Sequence, residues 1–220
     1  MGVEMRKWAQ DDSQMLALAR TVGVGPDSVV LDVGCDSGGL IEVFVAELGA
    51  RNCTGIDTNA DAILFGRTLA SPGAELLVAD VTQWQPDRRF THVFSVNALQ
   101  YMHHERALTR MVSALDRGGT LVLAYETAAS DIARLRGEGP RQTLASIRNV
   151  VFGTAVNLIG WQPPPSLLGR KVYGSTRRLR RLLRDLGLEV VLVAPRAMGV
   201  RAFGRAGQMI LIARKGSKRS

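Results

Sequence analysis

LDVGCDSGGL, residues 31–40, decides how this chain is read. It lies where a continuous apolar run, Ser28–Gly34, gives way to a helical pattern over Gly39–Leu48, in which Ile41, Phe44, Val45 and Leu48 recur at helical spacing. The unbroken apolar run predicts a strand buried on both faces. The spaced residues after it predict one buried helix face. Glycines at such a junction let the backbone turn sharply and approach a ligand closely, and the N–H groups of the following helix turn point at whatever is bound there.

Outward from this stretch the alternation repeats. Strands are predicted at Cys53–Asp57, Leu76–Asp80, Thr91–Asn97 and Thr120–Tyr125. Between them lie helices at Asn59–Leu69, with Asn59 as N-cap, and at His104–Leu115, with Leu108, Met111, Val112 and Leu115 on one face; Asp116–Gly119 reads as a turn. A short helix around Ser13–Val22 precedes the first strand. Residues 127–175 interrupt the pattern with a charged stretch, an apolar helix over Gln142–Ile159 and three consecutive prolines. A helix capped by Ser175 or Thr176 and closed by Gly187 follows, and then strands at Leu188–Ala194 and Met209–Ala213. The short link between the last two suits an antiparallel pair. The expected fold is therefore α/β: a doubly wound, Rossmann-like, seven-stranded sheet, mostly parallel with one antiparallel strand near the C-terminus, helices on both faces and a helical lid insertion.

Composition removes other classes. The chain has 220 residues, 46% hydrophobic and 22% charged, usage that excludes disordered, collagen-like and coiled-coil readings. Its longest greasy stretch, Val150–Trp161, is too short to span a bilayer, and no signal-peptide core is seen at the N-terminus. Two cysteines, Cys35 and Cys53, make neither a disulfide framework nor a four-ligand zinc site, so no metal is expected and a cytoplasmic setting is the default. Charge is uneven. Residues 1–125 carry 10 Lys+Arg against 15 Asp+Glu, and residues 126–220 carry 18 against 5. A basic C-terminal third attracts polyanions in principle: RNA, an acidic carrier protein or a phosphorylated substrate. The arginines 177, 178, 180, 181 and 184 flank a leucine stripe, which is also the ordinary composition of a solvated helix face.

Two acids sharpen the ligand prediction. Asp57 ends the second strand, where a carboxylate bridges the ribose hydroxyls of a nucleoside, and Asp80 ends the third. These residues resemble the class I S-adenosylmethionine-dependent methyltransferases. The family's D-x-G-x-G-x-G motif is read here as Asp32, Gly34, Asp36 and Gly38, and SALDRGGTLVL (113–123) resembles its turn into the fifth strand, with Arg117 in place of the usual proline. The resemblance covers roughly 28–126 and 175–215. It implies a single methyltransferase domain over 1–220, its core about 11–126 and 175–215, with 127–175 covering the acceptor.

It further implies S-adenosyl-L-methionine as cofactor, S-adenosyl-L-homocysteine as product, and a cofactor site built from Asp32, Gly34, Cys35, Asp36, Gly38, Asp57, Thr58, Asp80, Val81 and Asn97. Asp36 stands where the family has its middle glycine. A carboxylate there repels a pyrophosphate, so it opposes a dinucleotide more than a sulfonium carrying an ammonium. Tyr101, His103 and His104 follow the fourth strand and are the catalytic candidates, His being matched to proton transfer near neutral pH; a loop and helix start is their structural alternative. Tyr101 with Phe152, Trp161 and Tyr173 are the candidate acceptor walls. The expected reaction is methyl transfer to O, N or C of a small-molecule acceptor of specialised metabolism by a monomer or homodimer. The alternatives are a polyanionic or carrier-tethered substrate, and a non-catalytic binder of the methyl donor.

Overall fold

Strand β1 (Val29–Val33) is an interior strand, third in a seven-stranded sheet ordered β3-β2-β1-β4-β5-β9-β6. The computed structural model describes residues 14–135, 140–159, 162, 171–196, 201–202 and 205–217. In chain order, α1 (14–22) precedes β1; α2 (Gly39–Leu48), β2 (Asn52–Asp57), α3 (Ala60–Arg67) and β3 (Ala74–Val78) follow. The chain then crosses back to β4 (Phe90–Val96), on the other side of β1, and continues through α4 (His104–Ala114) into β5 (Leu115–Glu126). Helices α5 (Ala128–Arg134) and α6 (Pro140–Ile159) form the insertion. Helix α7 (Thr176–Asp185), β6 (Leu188–Pro195), a two-residue hairpin of β7 (Arg201–Ala202) and β8 (Arg205–Ala206), and β9 (Gln208–Lys215) complete the chain. Within the seven-stranded sheet β9 runs antiparallel to both β5 and β6 and the remaining pairs are parallel; β7 and β8 pair antiparallel by themselves.

Alternation along each strand divides the core into two layers. On one face Leu31, Val33, Leu121, Leu123 and Tyr125 pack with Leu108 and Met111 of α4 and Leu179 and Leu183 of α7. On the other, Val30, Cys53, Phe94 and Val122 pack with Ala19 of α1, Ile41 and Phe44 of α2 and Ile63 of α3. With successive side chains pointing to opposite faces, only a strand covered on both sides is apolar throughout, which is why Ser28–Gly34 reads as it does.

Several boundaries differ from expectation, among them β3, which spans Ala74–Val78 and leaves Asp80 beyond its end. Asp116–Gly119, expected as a turn, belongs to β5: Leu115 pairs with Phe90, and the register shift between Phe90 and His92 takes up the irregularity while Gly118 adopts φ 73°. A bulge keeps a polar Asp-Arg-Gly-Gly stretch in the ladder. The insertion also holds a short helix, α5, that the charged sequence concealed; Thr127 caps it through its side chain, accepting from the Ala129 N–H. None of the described helices is long and apolar enough to cross a membrane.

The insertion is tied to the rim of the sheet at several points. Glu126, the last residue of β5, forms a buried ion pair with Lys171, whose ammonium also lies 3.8 Å from Asp131 on α5. The Val172 N–H donates to Gln100 O (2.8 Å), the Gly174 N–H to Glu126 O (2.8 Å), and the Tyr125 hydroxyl meets Thr176 Oγ1 at 2.7 Å. Tyr125 is fully buried, so Tyr125→Phe leaves the Thr176 hydroxyl without its partner. A loss of about 1 kcal/mol is expected, read as a lower urea midpoint with an unchanged slope.

Candidate functional site

The cleft opens at the carboxyl ends of β1, β2 and β3, beside the point where the chain crosses from β3 to β4. Open α/β sheets bind ligands at such a switch of strand order. It encloses about 490 Å³. Val33, Gly34 and Ile56 form its floor, Asp57, Thr58, Asp80 and Val81 one side, and Ala98, Tyr101, Met102, His103 and Arg106 the other.

The turn that makes room for it is held by left-handed backbone. Gly34 has φ 80°, and a Cβ there would stand 2.2 Å from Ala98 Cβ, so glycine is required twice over. Asp36 has φ 52°. Asp and Asn are the non-glycine residues that tolerate this conformation, which explains how an acid occupies the position where the family motif has glycine. Asn97, just past β4, has φ 54° for the same reason.

Asp57 fastens this turn to the next. Its Oδ2 accepts the Asp36 N–H and its Oδ1 the Asn59 N–H, each at 2.9 Å. Asp80 acts alike one strand over, accepting from the Thr82 N–H at 2.8 Å and the Gln83 side chain at 3.4 Å. Asp32 lies beneath, fully enclosed. Burial first and the Asp57 charge second push its carboxyl up to about 7. Its Oδ1 and the Oδ1 of Asn97 have no hydrogen-bond partner. Two buried acceptors without donors, on either side of the Gly34 turn, fit a cationic, N–H-bearing ligand group.

Not every expected cofactor residue faces the cleft. Gly34, Asp57, Thr58, Asp80 and Val81 line it; Asp32, Cys35, Asp36, Gly38 and Asn97 stand behind or beside the turn. Cys35 is buried, and burial with the neighbouring acids raises its thiol pKa strongly, so it stays protonated. Among the catalytic candidates Tyr101 and His103 reach the cleft. His103 caps α4, its Nδ1 accepting from the Arg106 N–H at 3.4 Å. Burial and then Arg106 lower its pKa, keeping the ring neutral at pH 7. With Nδ1 accepting, the proton sits on Nε2, so His103 in this geometry is a donor, and acting as a base requires giving up the cap.

His104 does not face the cleft, contrary to expectation. It is fully buried, with Nε2 donating to Val172 O at 3.2 Å, and its own N–H is held by Gln162 Oε1 at 3.0 Å. It fastens the insertion to α4. Tyr173, expected as an acceptor wall, is buried against Gly153, with its hydroxyl 2.7 Å from Thr154 Oγ1. Phe152 is exposed on α6 and does not line the cleft. Trp161 lies outside the described residues. Neighbouring residues in the sequence diverge in the fold because the segment at 171–175 bonds α4 through its backbone and turns Tyr173 toward α6.

Arg106, Met102 and Gln83 line the cleft without having been anticipated. A signal for Arg106 existed: Ala107, Leu108, Met111 and Val112 mark the buried face of α4, which leaves Arg106 and Arg110 one turn apart on another face.

Comparison with known proteins agrees with this geometry. Residues 30–119 match the family model of a methyltransferase domain. Over those residues the chain is similar to a methyltransferase domain. Trans-aconitate 2-methyltransferase of Rhodopseudomonas palustris is 32% identical over 95 residues, 43% of this chain and 37% of the relative. The enzyme of that name from Paracidovorax citrulli is 34% identical over 109 residues, 48% of this chain and 41% of the relative. The chain thus aligns with well under half the length of these relatives. Among solved structures, magnesium protoporphyrin IX methyltransferase of Synechocystis with bound S-adenosylhomocysteine superposes with a TM-score of 0.65 at 16% identity, covering 94% of this chain and 83% of that one. The N-methyltransferase NodS of Bradyrhizobium japonicum, also with S-adenosylhomocysteine, gives 0.63 at 19% identity, covering 94% and 86%. These two likenesses concern the fold.

The buried His104 generates a pH prediction. Burial, then Arg178, lowers its pKa to about 3 from 6.5. Below pH 6.5 the unfolded chain takes up this proton first. Stability from the neutral ring is therefore complete above 6.5 and is lost progressively as pH falls toward 3. Asp32 works in the opposite direction between 3.8 and about 7. Urea midpoints measured across this range should fall less steeply on the acid side in His104→Gln than in the parent chain.

Proposed function

We propose that this chain transfers a methyl group from S-adenosylmethionine to a small-molecule acceptor. The observation that carries the reading is the convergence of Asp57, ending β2, and Asp80, in the loop just past β3, on one cleft above the Gly34 turn. In this reading Asp57 takes the ribose hydroxyls, Asp80 and Val81 the adenine edge, and Asp32 and Asn97 the methionine ammonium, against apolar surface from Val33, Ile56, Ala98 and Met102. When bound, the sulfonium supplies an already activated methyl carbon. The chain's own residues then bind, orient and exclude water, and holding the reactants in line contributes several kcal/mol, up to roughly 7–11 in ideal intramolecular cases.

Tyr101, His103 and Arg106 border the remaining half of the cleft and face the acceptor in this reading. The insertion is fastened near that half by Val172, whose backbone bonds Gln100 and His104, and this attachment supports reading it as the acceptor cover. Small-molecule chemistry is supported by the names of the relatives and by the size of the cleft. The exposed arginines of α7 (Arg177, Arg180, Arg181, Arg184) do not line it, which places a polyanion-directed role second.

Asp57→Ala removes two ribose contacts together with the bonds to Asp36 and Asn59. Calorimetry with S-adenosylhomocysteine should show affinity lower by about tenfold or more; unchanged affinity rejects the site. Asp32 supplies an independent check. Burial raises its carboxyl to about 7, so it holds a proton more readily than a free carboxylate, and a bound ammonium favours its charged form. Binding should release a fraction of a proton near pH 7, measured by titration in buffers of different ionisation heat. The release should fade by about pH 8 and vanish in Asp32→Asn.

A further inference from the structure

The charges around the cleft are segregated. Asp57 and Asp80 lie at the nucleoside end, whereas Arg106 lines the opposite end beside Tyr101 and His103. No ion pair to Arg106 occurs among the described residues. A second depression, of about 380 Å³, lies next along α4, lined by Gln85, Pro86, Asp87, Arg88, Arg89, Arg110 and Ser113. The two share a wall. Thr82 lines the first and Arg110 the second, and Arg110 Nε donates to Thr82 O at 3.3 Å. Arg106 and Arg110 are four residues apart on α4, which places them one above the other on the same side.

The members of the second depression are not equivalent. Arg88 is already engaged: its Nη2 donates to Thr54 Oγ1 at 2.6 Å and pairs with Glu75 at 3.1 Å, while its guanidinium lies 5.8 Å from the centre of the Phe90 ring. Arg89 and Arg110 have no carboxylate within ion-pair distance among the described residues, and Asp87 is the single acid in the lining. Arginines that face a cavity without an acidic partner are suited to carboxylate and phosphate oxygens, which they bind in a planar, bidentate manner. That the cations lie in the acidic stretch of the chain, residues 1–125, sets them apart from the general basicity of the C-terminal third.

We propose that the acceptor is a small polyanion, with one anionic group held by Arg106 beside the transferred methyl and a second reaching the Arg89–Arg110 depression along α4. This rests on the methyl-transfer reading above and adds the substrate class to it. The bond from sulfur to the methyl carbon breaks with its electron pair left on sulfur, while a lone pair of the acceptor forms the new bond. An acceptor atom that is already deprotonated requires no base, which agrees with His103 being occupied as a helix cap.

The test is labelled-methyl transfer from S-adenosylmethionine across a matched panel: tricarboxylates including trans-aconitate, dicarboxylates, phosphorylated sugars, the uncharged esters of each acid, and primary amines. Product is expected from polyanionic members and not from their esters or from amines, with KM rising as salt is raised. Carboxylate and phosphate members separate the two sources of negative charge. For the best acceptor, Arg106→Gln should raise KM by about tenfold or more while leaving S-adenosylhomocysteine affinity unchanged, and Arg106→Lys should restore part of the loss. Arg110→Gln and Arg89→Gln should each raise KM severalfold for acceptors with two or more anionic groups and leave monoanions unaffected. Equal turnover of esters or amines, or unchanged KM in all three glutamine variants, overturns the proposal. Tight S-adenosylhomocysteine binding with no methylated polyanion also overturns it while the donor site stands. Failure to bind S-adenosylhomocysteine instead removes the reading on which it rests.

Discussion

The carboxylate of Asp57 holds the cleft in shape. It accepts backbone N–H groups from Asp36 and from Asn59, so one side chain at the end of β2 fixes both the turn after β1 and the start of α3. Asp36 can present its N–H there because its backbone is left-handed, and Gly34 can pass beside Ala98 because it lacks a Cβ. Each condition is local, but they are satisfied together only when β1 lies between β2 and β4. The parallel register, with Val33 opposite Ile56 and Asp57 opposite Val78, brings the strand ends level. A ligand site at the switch of strand order follows from that alignment.

Electrostatics in this region are set by enclosure more than by net charge. Asp32 lies in a setting that disfavours its ionised form, and the nearby Asp57 adds to the effect. His104 is kept neutral by the same exclusion of water. The two groups serve opposite ends: Asp32 stores an unmet demand for a cationic partner, whereas His104 spends its ring N–H on the insertion. The Lys171, Glu126 and Asp131 cluster extends that attachment to the end of β5. Buried charges of this kind are costly to separate once formed, so the stretch from Lys171 to Gly174 is anchored at the rim.

Parts of the architecture were legible in the residues alone. Unbroken apolar strands, helix faces at Ile41–Phe44 and Leu108–Met111, the Asn59 cap and the short link before the final strand are all local signals. The sheet with its single antiparallel strand follows from them through the handedness of parallel crossovers. The placement of Asp57 at the end of β2 was legible for the same reason, whereas Asp80 lies two residues beyond β3, which ends at Val78. The bulge in β5 was not, because Asp116–Gly119 has the composition of a turn and only pairing with Phe90 keeps it in the ladder. Helix α5 was concealed by charged neighbours and defined by the Thr127 cap.

What the sequence by itself determined is the periodicity and the chemistry at the strand ends, since each depends on residues close together in the chain. What tertiary structure decided is direction. His103 and His104 are adjacent, yet one borders the cleft and the other is buried under Val172, because His103 is the extended N-cap outside α4 and His104 its first helical residue. Tyr173 was assigned to the cleft by its type and is turned to α6 by backbone bonds from a distant segment. Arg106 lines the cleft and Arg110 the depression beside it because the loop after β3 folds against α4. Which side chain meets a cavity depends on elements far apart in sequence, and no local pattern carries that information.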